Sequence, residues 1–193
     1  MKYIYLLICF LLTTAFTLPP NCEYRKFTDY EFNNKNRKIV ARINRIAWYD
    51  LNKNEKYHIC FNHKWSPLPQ RIEPYHKRFV LFIDLKEYAC AVYDKGDIID
   101  WCNILAGRST PIGEFLPQKL DKDHESSSYY TKDGRKSPMP NAINIKGNYW
   151  IHGGDVIAAM HLSHGCINIP NYFAEWLFLL CKDNFDNFLI VIK

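Results

Sequence analysis

The reactive side chains of this chain crowd into one segment, IHGGDVIAAMHLSHGCINIP, which holds His152, His161, His164 and Cys166. A thiol attacks a carbonyl only as the thiolate, so its proton must go to a neighbouring base, or its pKa must fall from about 8.5 under the influence of an imidazolium, a helix N-terminus or backbone N–H donors. All three influences are expected around Cys166. His152 ends a strand-like run, a helix is expected to begin near Pro170 to Tyr172, and Gly165 frees the backbone so that successive N–H groups can converge on a developing oxyanion. The chemistry implied is nucleophilic acyl transfer, with Cys166 as nucleophile and His152 as base.

Two other chemistries use the same residues. His152, His161, His164 and Cys166 are all acceptable zinc ligands, yet their spacing matches no finger or zincin pattern and no carboxylate stands beside them as a general base. Alternatively, Cys166 is oxidised and the chain is a disulfide-stapled envelope binding module. Neither explains a Ser-His-Gly-Cys run between a strand end and a helix, so the site is expected to need no metal and no cofactor. His161 is read as a loop histidine outside the catalytic set.

The elements that must hold these residues are mostly strands. From Phe79 onward VLFIDL, YACAVYD and IIDWCNILAG are short β-branched and aromatic runs separated by turn residues, which predicts a β-meander. Residues 113–142 turn polar around HESSSYYTKDGRKSPMP and read as a long surface loop beside the site, a lid or binding loop. INIKGNYWIHG resumes as strand. NYFAEWLFLLCKD carries apolar residues at helical spacing with Asn171 before its first turn, and FLIVIK closes the chain as a strand. The fold class expected is mainly β: sandwich-like mixed sheets with one main helix after the SHGC loop.

With 193 residues, 48% of them hydrophobic, the chain accommodates one buried core plus an extension. The opening MKYIYLLICFLLTTAFTLPP reads as a signal peptide over residues 1–17, its apolar run too short to span a bilayer. Residues 18–78 are then an N-terminal extension with a short helix around NRKIVARINRIAWYD and a Pro-punctuated linker, SPLPQRIEPY; residues 79–193 form the catalytic domain. Export to the periplasm or cell envelope leaves Cys22, Cys60, Cys90, Cys102, Cys166 and Cys181 in an oxidising compartment. With Cys166 free the remainder is odd, so at least one more is unpaired within the chain. Cys90 and Cys102 flank a DKG turn, and a three-residue loop there puts them diagonal on one sheet face, a doubtful geometry for a bridge. The net charge of +5 is spread along the chain and no motif supports nucleic-acid binding.

SHGCIN at 163–168, preceded by IHG at 151–153, resembles the catalytic motif of the L,D-transpeptidase (YkuD) family, and FIDLKEYACAVYDKG with AGRSTPIGEF resembles that family's opening strands and its Thr-Pro-x-Gly-x-Phe signature. The resemblance covers roughly residues 79–193. It implies a ping-pong mechanism in which Cys166 is acylated by a peptidoglycan stem peptide as a thioester, His152 takes the proton, and the carbonyl of Gly153 orients the imidazole. Backbone N–H groups around His164, Gly165 and Cys166 would hold the oxyanion, while Ser163 and Asn168 brace the loop or touch substrate. The implied partners are stem peptides and an anchored envelope protein as an alternative acceptor, and carbapenem-type inhibitors would acylate Cys166. A carboxypeptidase or a cross-link- or anchor-cleaving hydrolase would use the same pair. The loop between His152 and Cys166 is somewhat shorter than the family pattern.

Overall fold

The computed structural model describes residues 22–44, 51–59, 66–154 and 160–193; the signal-peptide expectation for residues 1–17 lies outside them. In chain order the elements are β1 (Glu23–Arg25), α1 (Asn34–Asn44), β2 (Tyr57–Ile59), β3 (Phe79–Asp84), β4 (Ala89–Asp94), β5 (Asp97–Asn103), β6 (Leu105–Gly107), β7 (Gly113–Phe115), β8 (Lys119–Tyr130), β9 (Lys136–Lys146), β10 (Tyr149–Gly154), β11 (Met160–Ser163), β12 (Ile167–Pro170), α2 (Asn171–Asp183) and β13 (Phe188–Ile192). The architecture is mainly β with mixed sheets and one main helix, as expected from the strand-length apolar runs.

Two sheets make up the region from Phe79 onward, and the second carries the site. One has the order β5-β4-β3-β13-β7, the other β11-β6-β12-β10-β9-β8. The closing strand β13 runs parallel to β3 and antiparallel to β7, so the last residues of the chain fill the middle of the first sheet. Its run FLIVI is buried throughout, which is what a strand covered on both faces requires. Alternation separates the two sides. Phe79, Leu81 and Ile83 join one cluster with Ile151, Ile167, Ile169, Phe173 and Leu177, while Val80, Ala89, Ala91 and Leu189 join a second with Leu68 and Trp101.

Helix α2 buries Phe173, Ala174, Leu177, Phe178 and Cys181, a stripe at i, i+1, i+4, i+5 and i+8, against β9, β10 and β12. Asn171 is its first helical residue, with Pro170 at the N-cap. This packing anchors β10 and β12, which begin and end the reactive segment, together with their neighbour β9.

Three sequence expectations are corrected. The stretch read as a long surface loop is mostly an antiparallel hairpin, β8 with β9, in a regular register from Lys119↔Asn144 to Glu125↔Pro138. Its outer half stays polar because backbone pairing, not burial, holds it together. Cys90 and Cys102 are directly opposite, not diagonal. The turn is the two-residue Lys95–Gly96, both at positive φ, and a bulge between Val92 and Tyr93 shifts the register by one. Their sulfurs lie 3.4 Å apart, both buried and neither in a disulfide.

The Pro-punctuated stretch 66–75 lies along the sheet: Ile98 N–H donates to Gln70, Ile72 N–H to Gly96, and Tyr93 Oη to Pro69. Within the N-terminal extension, β1 pairs with β2, and Phe27, Val40, Ala41, Leu51, Tyr57 and Ile59 form a separate apolar cluster. Cys22 in this unit is disulfide-bonded. No described helix is long and apolar enough to cross a membrane.

Candidate active site

Register brings the reactive residues together. Strands β10 and β12 run parallel with Ile151 opposite Ile167 and His152 opposite Asn168. The isoleucines point into the core, so alternation sends His152 and Asn168 to the other face, and Cys166, one step before β12, follows them.

His152 is only 7% exposed, and its Nδ1 lies 2.8 Å from the carbonyl oxygen of Gly153. A carbonyl only accepts, so the ring proton sits on Nδ1 and Nε2 keeps its lone pair. Burial lowers the imidazole pKa below 6.5, outweighing the Gly153 carbonyl, which raises it; the charge of His124 adds to the lowering. The ring is therefore neutral at neutral pH and able to accept a proton at Nε2.

The thiolate expected at rest is not what the surroundings favour. Burial raises the Cys166 pKa above 9.0, against the opposing pull of the Trp150 backbone N–H, and the thiol donates to the Asn148 carbonyl at 3.6 Å. Cys166 and His152 thus rest as thiol and imidazole.

The loop that carries Cys166 is braced from within and from across the sheet. Ser163 Oγ donates to the Cys166 carbonyl and accepts the Gly165 N–H at 3.1 Å. That Gly165 N–H, one of the expected oxyanion donors, is thus engaged inside the loop. The Cys166 N–H makes no hydrogen bond among the described residues. From the turn after β6, Ser109 Oγ donates to the His164 carbonyl at 2.5 Å and Thr110 Oγ1 to the Gly165 carbonyl at 2.9 Å. Gly165 has φ +131°, and a Cβ there would lie 2.4 Å from Tyr149 Cε1, so both conformation and contact require glycine.

His164 is exposed, and its ring lies 5.1 Å from that of Tyr129 on the β8–β9 hairpin, which brings the hairpin to the loop. Asn168 Oδ1 lies against Gly154, 2.7 Å from where a Cβ would stand. His161, expected on a loop, lies instead on β11, where its backbone pairs with Ala106; its side chain lies outside the described residues. Among the described residues no three His, Cys, Asp or Glu side chains converge as a metal site requires, and Cys166 is a free thiol.

Sequence reasoning did not single out Asn148, Tyr149, Trp150, Ser109, Thr110, His124 or Tyr129. Only Ser109 and Thr110 carried a signal, inside the AGRSTPIGEF motif. His124 stacks on Trp150 at 3.9 Å and contacts Asp121 at 3.2 Å.

The model of the L,D-transpeptidase catalytic domain, YkuD, matches residues 78–192. No curated protein matches the chain. Among solved structures, an L,D-transpeptidase from Xylanimonas cellulosilytica superposes with a TM-score of 0.59 at 16% identity, covering 92% of this chain and 100% of that one. One from Mycobacterium smegmatis gives 0.51 at 16%, covering 61% and 59%. LdtMt1 in complex with imipenem gives 0.52 at 18%, covering 61% and 59%, so the chain spans about three fifths of the latter two. At such identity the likeness is one of fold. The family match, however, takes in more than half of the chain over the segment that carries Cys166 and His152, and the chain belongs to the L,D-transpeptidase (YkuD) catalytic-domain family.

Proposed function

We propose that this chain is a cysteine L,D-transpeptidase that acts on peptidoglycan stem peptides in the periplasm or cell envelope, delivered there by a signal peptide over residues 1–17. The observation that carries the reading is a neutral His152 with its Nε2 lone pair free, on the same sheet face as the free thiol of Cys166. The Cys166 sulfur attacks the donor carbonyl as its proton passes to His152 Nε2. The Cys166 N–H faces the resulting oxyanion, and the Gly153 carbonyl stabilises the imidazolium through Nδ1–H. Collapse breaks the C–N bond; the departing amine takes the proton from Nε2 and a thioester remains. A second stem's side-chain amine then gives a proton to Nε2 and attacks the thioester, and His152 returns that proton to the leaving sulfur. Ser163, His164 and Gly165 shape the loop, and Asn168 lines the same face.

A neutral thiol–imidazole pair suits this sequence, because the nucleophile is generated only when a carbonyl is in place and is otherwise shielded from oxidation. The same pair serves an anchored envelope protein as acceptor, or water.

The test uses purified protein, a carbapenem such as imipenem, and defined muropeptides followed by mass. One drug mass on Cys166, lost in Cys166→Ala with its melting temperature retained, supports the nucleophile. Dimeric muropeptides mean transfer and shortened monomers mean hydrolysis. Turnover persisting in Cys166→Ala refutes the assignment.

A further inference from the structure

We propose that Thr110 is a positioning residue for acylation: its hydroxyl, bonded to the Gly165 carbonyl, holds the Gly165–Cys166 peptide so that the Cys166 N–H faces the oxyanion. The inference rests on the acyl-transfer reading above and deepens it.

A trans peptide is planar, with its C=O and N–H pointing in opposite directions, so whatever fixes the carbonyl of Gly165 also aims the N–H of Cys166. The loop cannot fix that plane by itself. Gly165 sits at φ +131°, a region that glycine alone enters readily, and glycine's backbone is the least restrained of all residues. Inside the loop, Ser163 Oγ holds the Gly165 N–H and the Cys166 carbonyl, which are the peptide groups on either side of the Gly165–Cys166 plane. The plane between them is held from outside, by Thr110 Oγ1 at 2.9 Å across 55 residues of sequence.

Thr110 is itself held. It is 6% exposed, its Oγ1 accepts the Gly107 N–H at 3.1 Å, and its own N–H donates to the Gly107 carbonyl at 3.1 Å. With the Gly107 N–H occupying one lone pair, the hydroxyl proton is directed to the Gly165 carbonyl. Ser109 repeats the device one peptide earlier, on the His164 carbonyl. Two consecutive carbonyls before the nucleophile are therefore turned toward the β6 side by two consecutive hydroxyls. The Cys166 N–H, on the far side of that peptide plane, has no partner among the described residues, and it is the one an oxyanion on the attacked carbon would need.

The experiment compares two reactions of the same sulfur in Thr110→Val, Thr110→Ser and the unmodified chain. Acylation by imipenem passes through an oxyanion. Alkylation by iodoacetamide is a displacement that forms none. The expected result for Thr110→Val is an acylation rate constant lower by about 10- to 100-fold, less than or comparable to the loss of a whole oxyanion donor, with the alkylation rate and its pH profile unchanged. Thr110→Ser should acylate at the rate of the unmodified chain. Should Thr110→Val fail to fold, as judged by its melting curve, Ser109→Ala carries the same comparison, with a smaller loss in acylation alone. Acylation of Thr110→Val at the unmodified rate overturns the inference. So does a parallel fall in acylation and alkylation, which would mean that the hydroxyl merely keeps the loop folded. If the unmodified chain takes up imipenem without any loss in Cys166→Ala, it is the underlying acyl-transfer reading that fails, and the two failures are distinguishable.

Discussion

Replacing Gly107 by Ala tests how closely the reactive loop is templated by β6. Gly107 closes that strand and touches no substrate in the mechanism above. A Cβ built there would lie 2.3 Å from the nitrogen of Gly165 and 2.3 Å from the oxygen of Ser163, where ordinary contact begins at 3.4 Å. The difference, 3.4 − 2.3 = 1.1 Å, is the displacement the loop must absorb, and both obstructing atoms are backbone, so no rotamer change relieves it. Gly107 is not at positive φ, so alanine adds a steric load without backbone strain. A misplacement of about 1 Å at a reacting group costs roughly 100-fold in rate, or about 2.7 kcal/mol at 1.36 kcal/mol per tenfold. The assay is imipenem acylation of Cys166 by intact mass under single-turnover conditions, with the melting curve recorded alongside. Gly107→Ala should remain folded at 25 °C and acylate about 100 times more slowly. A variant that acylates within threefold of the unmodified chain would show that the loop is not set by its contact with β6.

The pH dependence of acylation has a definite sign. His152 must be neutral to accept the proton, and burial lowers its pKa below 6.5, so the acid limb should have its midpoint below 6.5 and be absent in Cys166 alkylation of His152→Gln. The folded protein binds fewer protons at this site than the unfolded chain does, so its contribution to stability is present above the unfolded value of about 6.5 and declines as pH falls toward the folded pKa; urea midpoints measured across that range check it. Iodoacetamide on the native protein should modify Cys166 well before Cys90, Cys102 and Cys181, which are buried, and peptide mapping before and after unfolding reads this directly. Leu177→Ala, at a fully buried position of α2, should cost about 2–5 kcal/mol in denaturant unfolding and leave a folded fraction whose Cys166 still acylates.

What the sequence determined by itself is what depends on short range. The short β-branched and aromatic runs FVLFID and ACAVYD, the helical stripe of NYFAEWLFLLCKD, and the spacing of His152, Ser163, His164, Gly165 and Cys166 are all local patterns, because side-chain character, helical periodicity and loop chemistry need only neighbouring residues. The family-level site was legible for the same reason. The tertiary structure decided whatever depended on pairing between distant segments. The bulge between Val92 and Tyr93 moved Cys90 opposite Cys102, although nothing in DKG announces a shifted register. The polar stretch with HESSSYY became a hairpin because backbone hydrogen bonds do not depend on apolar side chains. Thr110 met Gly165 from 55 residues away. The resting protonation of Cys166 and His152 was also beyond the sequence, since neighbouring residue types suggest a thiolate while the enclosing core, assembled from many segments, desolvates both groups and favours their neutral forms.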